Sequence, residues 1–492
     1  MMTLEQMRAM EGRMIADLPW LAPIGALTLA AIVAVVLALV LPRGRQGLVG
    51  AWVAGAHLSS AGLAAAVWLD RGFRTVMERT VVVDGLSLVL IGVLGVAGAL
   101  TVAIARPTVA GTDREGEFYA VLTATTLAGA VLGSAADAAL LALALGLSSL
   151  ASFVMTGYLR GSAHGTEASL KYYIYGTVSG AVMVYGLSWW FGLAGSTDLR
   201  AIGRALAGAP EGVAVASTVL VLAGLAYKAS LVPLHFWAPD AYDGAPLPVA
   251  AYLSVLTKLA GLVALARVLP LALPDGLLGW PTAVAVLVAA TMTLGNLAMI
   301  PQRNVVRLLA YSSIAQSGYL LMGVAALHGS EQGLPALLFY AMAYAAANLA
   351  AFAVVLAVQR ERHSVDVTAF SGLGCAHPWW TAVLIIALLS LLGLPPLAGF
   401  VAKLEVFRAA IDAGQAWLAV VAIANTVVSL YPYLRLVAPT ILDRETGTGA
   451  RLPAGPAIAA ATLLTGVLTV AIGIGAEPLI TLAERAVAIT GG

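Results

Sequence analysis

Three lysines of this sequence lie inside long apolar stretches. They are Lys228, Lys258 and Lys403, and the only other lysine, Lys171, lies close to a polar break. A charged side chain in such a stretch is costly, so it is expected to face protein or water and to have a function. Arginine keeps its proton, whereas burial can lower the pKa of a lysine by several units. The three lysines are therefore candidates for proton transfer.

A simpler explanation is that each lysine pairs with one acid or extends its ammonium group to the membrane surface. This explanation would suffice for one lysine. It is less suited to three, because arginine supplies nearly all of the 26 basic residues, mostly in loops or at span ends. The pattern therefore favours a functional role for the lysines.

Two of the three lysines lie beside helix-breaking residues. Pro233 and the stretch HFWAPDAYDGAPLP (235–248) follow Lys228, and LLGLPPLAGF (391–400) precedes Lys403. Proline removes a backbone donor and opens a helix. Freed backbone groups at membrane depth persist only where they line a cavity or are buried in protein. Paired interrupted spans indicate two inverted repeats with an ion path at their interface.

Further polar side chains lie within apolar segments and are candidates for a proton relay. His235 follows the first break, and Tyr311 and Gln316 lie in the stretch LLAYSSIAQSGYLL. Ordinary hydrogen bonding between helices is the alternative role for these side chains.

The composition indicates a membrane protein. Of 492 residues, 61% are hydrophobic and 10% are charged, whereas about a quarter are charged in soluble domains. The apolar runs are about 20 residues long, which suits a helix that crosses a bilayer. We predict an all-α polytopic membrane protein with about fourteen spans. Two of these, near 213–236 and 378–408, are expected to be the broken spans 7 and 12.

The same composition argues against several other classes. The net charge of +1 gives no support for nucleic-acid binding. Cys375 is the single cysteine, which excludes an internal disulfide and a cysteine metal cluster. The glycine-rich motifs of nucleotide sites do not occur. We therefore expect no cofactor and no metal on this chain.

The spans group into four segments. We predict N-terminal helices over 1–115, a first repeat over 116–270, a second repeat over 271–440, and a C-terminal helix and tail over 441–492.

Over roughly residues 80–440 the sequence resembles a known family of antiporter-like membrane subunits. The most specific stretch is YKASLVPLHFWAPDAYDGAPLPVAAYLSVLTKLAGLVALARVL (227–269), and EASLKYYIYG (167–176), NVVRLLAYSSIAQSGYLLMG (304–323) and LLGLPPLAGFVAKLEVF (391–407) are also similar. The resemblance is to the subunit N type of proton-pumping NADH:quinone oxidoreductase, respiratory complex I. Tyr242 favours this type, because the antiporter subunits and the L and M types usually carry histidine there.

The resemblance implies roles for the matching residues. Lys228 resembles the lysine of one proton half-channel, Lys403 that of the second half-channel, and Lys258 the lysine that connects them. His235 matches a histidine near the first break. These roles rest on the resemblance alone.

The resemblance also implies a setting. The chain would be a translocase subunit that carries out no redox chemistry, with NAD, FMN, iron–sulfur clusters and quinone bound by partner subunits. Its neighbours would be L-, M-, K- and J-type membrane subunits, membrane lipid and, through these subunits, a peripheral redox arm. The location would be the bacterial plasma (inner) membrane, crossed many times.

One departure from the family concerns an acidic residue. The family usually carries glutamate in span 5, in a pattern like L-G-x-E-L-x-S-L, and here Gly146 is expected in its place, within LALGLSSLASFVMTGY (143–158). Three alternatives therefore stay open: a subunit of a multi-subunit cation/proton antiporter, a subunit of a membrane-bound hydrogenase-type complex, and a scaffold that does not pump.

Overall fold

A computed structural model describes residues 4–159, 161–443 and 455–488. Residues 444–454 and 489–492 of the predicted C-terminal segment, and residues 1–3, lie outside the described residues. The described ranges contain nineteen α-helices, which are α1 Leu4–Val40, α2 Gly47–Arg71, α3 Gly85–Val109, α4 Glu115–Ser134, α5 Ala138–Thr156, α6 Ala163–Ala194, α7 Leu199–Ala207, α8 Glu211–Lys228, α9 Trp237–Gly244, α10 Leu247–Ala272, α11 Trp280–Met299, α12 Val305–Ala325, α13 Gly333–Arg362, α14 Leu373–Ala376, α15 Pro378–Leu392, α16 Ala398–Asp412, α17 Ala416–Leu442, α18 Pro456–Ile474 and α19 Ala476–Ala488.

The helices confirm an all-α polytopic membrane fold. Within the described ranges, thirteen helical segments are long and apolar enough to cross a membrane. The remaining predicted span, 378–408, is divided between α15 and α16, with Gly393–Leu397 between them. The predicted span 7, 213–236, is helical only as far as Lys228, where α8 ends, and α9 begins at Trp237, just beyond the span. Both helix breaks therefore occur where the prolines predicted them.

The centre of the bundle consists of three long helices. α10, α12 and α13 are buried along almost their whole length, whereas α1, α6, α17 and α18 present apolar side chains outward. A helix that is apolar on all sides and buried on all sides belongs to the interior of a bundle. Polar side chains on these three helices must therefore find partners within the protein.

Two short backbone bridges have matching hydrogen bonds. Asp137 caps α5 and bridges to Asp198, while Asn304 caps α12 and bridges to Asp366. In the first bridge, Ala138 N–H, which follows Asp137, donates to Thr197 O, which precedes Asp198, at 2.8 Å. In the second bridge, Val305 N–H, which follows Asn304, donates to Val365 O, which precedes Asp366, also at 2.8 Å. The correspondence supports the proposal of two repeats over 116–270 and 271–440.

The sequence patterns did not predict the surface elements. Strands β1 (Arg74–Val76) and β2 (Val81–Val83) form an antiparallel hairpin between α2 and α3. Strands of three residues are too short to show an alternating pattern, so none was expected. The nine-residue helix α7 is amphipathic, with Leu199 and Ile202 buried and Arg200 and Arg204 exposed, which suits a helix lying along the membrane surface.

A buried ion pair joins three helices at the surface that carries the hairpin. Arg267 of α10 donates to both carboxylate oxygens of Asp84, at 2.9 and 2.8 Å, and to the carbonyl of Gly133 in α4. Burial alone would raise the pKa of the Asp84 carboxyl, but the Arg267 guanidinium outweighs burial and lowers that pKa below its ordinary value. Asp84 also caps α3 by accepting from Ser87 N–H. The pair therefore fixes α3 against α10.

We predict that Arg267→Gln lowers the stability of the bundle by about 3–5 kcal/mol, because it leaves a buried carboxylate without its counter-charge. The midpoint of thermal unfolding in detergent measures the change. Arg204→Gln is the control, since Arg204 is exposed and forms no ion pair in the described ranges. The double variant Asp84→Asn, Arg267→Gln should recover part of the loss. Equal midpoints for Arg267→Gln and Arg204→Gln would contradict the prediction.

Candidate functional site

Lys228 is the last residue of α8, and its side chain is 0% exposed. Its Nζ has no hydrogen-bond partner among the described protein atoms. The break begins here, and the carbonyl of Tyr227 accepts a bond of 2.8 Å from the indole Nε1 of Trp237. An aromatic donor from the far side of the break therefore binds this carbonyl, while the lysine beside it keeps its donors free.

Lys258 lies in an aromatic pocket at the middle of α10. It is 0% exposed, its Nζ has no hydrogen-bond partner in the described ranges, and it lies 5.7 Å from the Trp237 ring and 5.6 Å from the Tyr242 ring. Aromatic faces attract an ammonium group at such distances. Tyr242, which distinguishes the N type in the sequence, thus contacts the middle lysine. Trp237 links this pocket to the break beside Lys228.

His235 lies within the first break, and it is nearly buried, with Nδ1 unpartnered among the described atoms. Its ring lies 4.6 Å from the ring of Phe236. Trp237, two residues later, faces Lys258 and binds the carbonyl of Tyr227 at the end of α8.

Lys403 is held differently, although it also lies beside a break. It is 4% exposed, and its Nζ donates to Leu392 O at 2.8 Å and to Thr426 Oγ1 at 3.3 Å. The Nζ also lies 4.3 Å from the Tyr319 ring. Gly393 ends α15 with a φ of +91°, and a Cβ there would meet the Lys403 side chain at 2.8 Å. Glycine suits this position for two reasons: its positive φ is unfavourable for other residues, and a Cβ would crowd the Lys403 side chain.

Gln316 satisfies the neighbouring carbonyl of the second break. Its Nε2 donates to Leu391 O at 2.8 Å, and its Oε1 accepts from the Tyr340 hydroxyl at 2.7 Å. Gln316 and Lys403 therefore bind adjacent carbonyls that the end of α15 leaves free. This places a predicted relay residue beside a predicted lysine.

A row of polar side chains on α13 was not identified from the sequence. Tyr340, Tyr344 and Asn348 are four residues apart, so they share one face of the helix. Tyr344 donates to Ser254 O at 3.0 Å, and Asn348 contacts Ser254 Oγ. Ser254 lies one helical turn before Lys258. The regular spacing of these three residues in an apolar span was the signal that could have revealed them.

Together these contacts form a buried polar line between two of the lysines. From one lysine to the other, its members are Lys258, Ser254, Asn348, Tyr344, Tyr340, Gln316 and Lys403. Some neighbouring members are one helical turn apart, about 5–6 Å, which exceeds a hydrogen bond. Proton transfer along the line therefore needs water or side-chain rotation at those steps.

Tyr311 does not join this line. It is half-buried and lies one helical turn from Arg307 at the beginning of α12. Arg307 belongs to a surface charge cluster that also contains Asp240, Asp243 and Lys171, with Arg307–Asp240 at 2.9 Å and Lys171–Asp240 at 3.3 Å. Burial would raise the pKa of Asp240, but these two cations outweigh it and hold the pKa below its usual value. The cluster joins α6, α9 and α12.

The structure places Gly146, the residue expected in the place of the family's acid, on the outer face of α5. Gly146 is exposed, and a Cβ there would have no atom within 4 Å, so it faces away from the bundle. Ser148 is fully buried, and its hydroxyl has no partner among the described atoms. The full pattern L-G-x-E-L-x-S-L keeps Gly146 in the place of the acid, because Leu147, Ser149 and Leu150 then match the three specified residues after it.

None of the three buried lysines forms an ion pair in the described ranges. Glu405, two residues after Lys403, likewise forms none there, as expected for positions on different faces of a helix. The same ranges hold no group of three or more His, Cys, Asp or Glu that could bind a metal. In the described ranges the three lysines therefore have neutral polar and aromatic groups as their neighbours.

Comparisons with known proteins agree with this arrangement. The family described as "NADH:quinone oxidoreductase/Mrp antiporter, TM" matches residues 135–429. NADH-quinone oxidoreductase subunit N 1 of Streptomyces griseus is 39% identical over 434 residues, which cover 88% of this chain and 91% of that protein.

Solved structures give the same result for the fold. A chain of respiratory complex I from Thermus thermophilus with bound aureothin has a TM-score of 0.80 and 32% identity, over 94% of this chain and 99% of that one. A chain of the Mrp complex from Dietzia has a TM-score of 0.84 over 96% of this chain and 97% of that one, but at 23% identity it shows the fold alone. The chain is therefore a multi-pass membrane subunit of a multi-subunit complex, and it belongs to the family of NADH:quinone oxidoreductase and Mrp antiporter membrane subunits, with subunit N of the oxidoreductase among its relatives.

Proposed function

We propose that this chain is a proton-translocating membrane-arm subunit of a redox-driven NADH:quinone oxidoreductase. The observation that carries the proposal is the set of three buried lysines, two of them beside helix breaks and none paired with a carboxylate in the described ranges. A lysine that is fully buried without a counter-charge can change its protonation state when its surroundings change. Relatives named as subunit N support the identity of the complex.

In this proposal each lysine has a separate task. Lys228 exchanges protons with one half-channel at the first break, and Lys403 does so at the second. Lys258 lies between them, with His235 beside it as a relay group. The polar line along α13 connects Lys258 with Lys403, and Gln316 is its last side chain before the lysine. Tyr311 stays a candidate at the surface, next to Arg307.

The energy would come from outside this chain. We assign NAD, FMN, iron–sulfur clusters and quinone to partner subunits, which the likeness to one subunit of an NADH-quinone oxidoreductase supports. Membrane-arm subunits of the L, M, K and J types would be its neighbours, with a peripheral redox arm beyond them, in the bacterial plasma membrane. A change of charge in a neighbour would alter the protonation of Lys228 and then of Lys258.

The antiporter alternative has the same fold, as the likeness to the Mrp complex indicates. Tyr242 argues against it, because its ring contacts Lys258 where antiporter subunits are expected to carry histidine. A hydrogenase-type complex differs from the proposal in its partner subunits. A scaffold that does not pump differs in that its lysines could be replaced with little loss.

We predict that Lys228→Ala, Lys258→Ala and Lys403→Ala each lower redox-driven proton uptake in membrane vesicles by roughly 100-fold, because each removes a proton-exchanging group. Electron transfer and assembly of the complex are measured in the same vesicles. Arg204→Ala, which removes an exposed surface cation, should leave proton uptake unchanged. Normal uptake in all three lysine variants, with assembly intact, would favour a scaffold over a pump.

We predict different outcomes for an acid at positions 148 and 146. Ser148→Glu puts a carboxylate inside the bundle, where it favours protonated lysine, so the pH optimum of proton uptake should move upward. Gly146→Glu puts the charge on the outer face, so it should lower the amount of inserted chain without moving the optimum. Identical pH profiles for the two variants would contradict the prediction that only a carboxylate inside the bundle acts on the lysines.

A further inference from the structure

The short helix α9 has two faces with different surroundings. A helix turns about 100° per residue, so Trp237 and Tyr242 lie on one side of α9, while Asp240 and Asp243 lie on the other. The burial of these residues agrees with this arrangement, because both aromatic residues are buried and both aspartates are partly exposed. One face of α9 therefore points into the bundle, and the other points towards its surface.

The buried face of α9 forms one side of the pocket around Lys258. The rings of Trp237 and Tyr242 lie 5.7 and 5.6 Å from Lys258 Nζ, which has no hydrogen-bond partner among the described protein atoms. An ammonium group is attracted to an aromatic face within about 6 Å of the ring centre. Both rings are close to that limit, so a small displacement of α9 away from the lysine would weaken both contacts together.

The other face of α9 is bound to α12 by charged and polar groups. Arg307 of α12 lies 2.9 Å from Asp240 and 3.6 Å from Asp243, so one guanidinium contacts both acids. Asn304, which caps the same helix, donates from Nδ2 to Asp243 at 2.6 Å. The beginning of α12 therefore contacts both acids of α9.

The ion pairs between α9 and α6 are more exposed. The Lys171 side chain is 43% exposed and is shared between Asp240 and Glu167, at 3.3 and 2.8 Å. The His164 side chain is 62% exposed and lies 3.4 Å from the second acid of α9. Isolated ion pairs at an exposed surface contribute little, whereas several charges in a network contribute more. Arg307, which is 30% exposed and contacts both acids, is therefore the main cation that holds this face.

We propose that Arg307 is a positioning residue for Lys258 and that it acts through α9. Its pairs with the two acids hold one face of the helix, and they thereby fix the two rings that the other face presents to the lysine. The inference rests on the proposed role of Lys258 in proton transfer. It also adds a link between the two proposed repeats, because Arg307 belongs to α12, which carries Gln316 beside Lys403.

Hydrogen–deuterium exchange of the purified, assembled complex tests the first step, which is the hold of Arg307 on α9. Arg307→Gln removes charged hydrogen bonds, so the backbone amides of α9 should exchange about tenfold faster. Arg307→Lys keeps the charge and should restore most of the slow exchange. Arg303→Gln is the matched control, because Arg303 precedes the same helix but pairs with Asp366, at 3.4 Å, and it should leave the exchange of α9 unchanged.

Proton uptake per electron transferred, measured in membrane vesicles, tests the second step, which is the effect on Lys258. Arg307→Gln should lower this ratio about tenfold, because misplacing a reacting group by about 1 Å is enough for such a loss. Arg307→Lys should recover most of the ratio, and Arg303→Gln should leave it unchanged. A merely structural role of Arg307 would lower the amount of assembled complex without changing the ratio.

Asp240→Asn tests the same contact from α9. It removes the charge that lies 2.9 Å from Arg307 but keeps the size of the side chain and leaves the pair with Asp243 in place. The variant should therefore change both measurements in the same direction as Arg307→Gln and by a smaller factor. It carries the test if Arg307→Gln reduces assembly of the complex.

Two results would overturn the proposal. The first is equal exchange of α9 in Arg307→Gln and Arg303→Gln. The second is faster exchange of α9 with an unchanged ratio of protons to electrons, under conditions where Lys258→Ala loses proton uptake. Normal proton uptake in Lys258→Ala would overturn the proposed function itself, and with it this role of Arg307, whatever the exchange of α9 shows.

Discussion

A polar group at membrane depth has no water to bind, so leaving it without a hydrogen bond costs free energy. In the centre of this bundle, protein side chains provide the missing partners. Each helix break frees carbonyl groups, and side chains supply the donors that water would supply elsewhere. Trp237 binds Tyr227 O at the first break, while Gln316 and Lys403 bind Leu391 O and Leu392 O at the second. These donors satisfy carbonyl groups at both breaks, and Gln316 and Lys403 are also among the residues proposed to transfer protons.

The two breaks differ in how they hold their lysines. Lys403 is bonded to a carbonyl and a hydroxyl, so its position is fixed by the end of α15. Lys228 is buried without a partner in the described residues, next to a carbonyl that Trp237 already binds. The two lysines therefore differ in their protein partners, although each lies beside a helix break.

Trp237 connects elements that the sequence treats separately. Its indole nitrogen reaches back to the residue before Lys228, its ring faces Lys258, and it stacks on Tyr172 of α6 at 4.3 Å. A movement of α9 would therefore displace a ring that faces Lys258 and a donor bound to the residue before Lys228. The surface charge cluster of Asp240, Asp243, Arg307 and Lys171 holds the same helix against α6 and α12. The short helix α9 is thus fixed from the centre and from the surface.

The sequence by itself determined the membrane class, the spans, both breaks and the family, because length, hydropathy and proline act locally along the chain. It also identified the lysines, since a lysine in an apolar span is costly wherever its neighbours lie. Only the tertiary structure decided that Ser148 faces inward and Gly146 outward, and that Tyr340, Tyr344 and Asn348 meet α10 and α12. Spacing along a helix determines which residues share a face. It does not determine which helix that face meets, because this depends on packing between segments far apart in sequence.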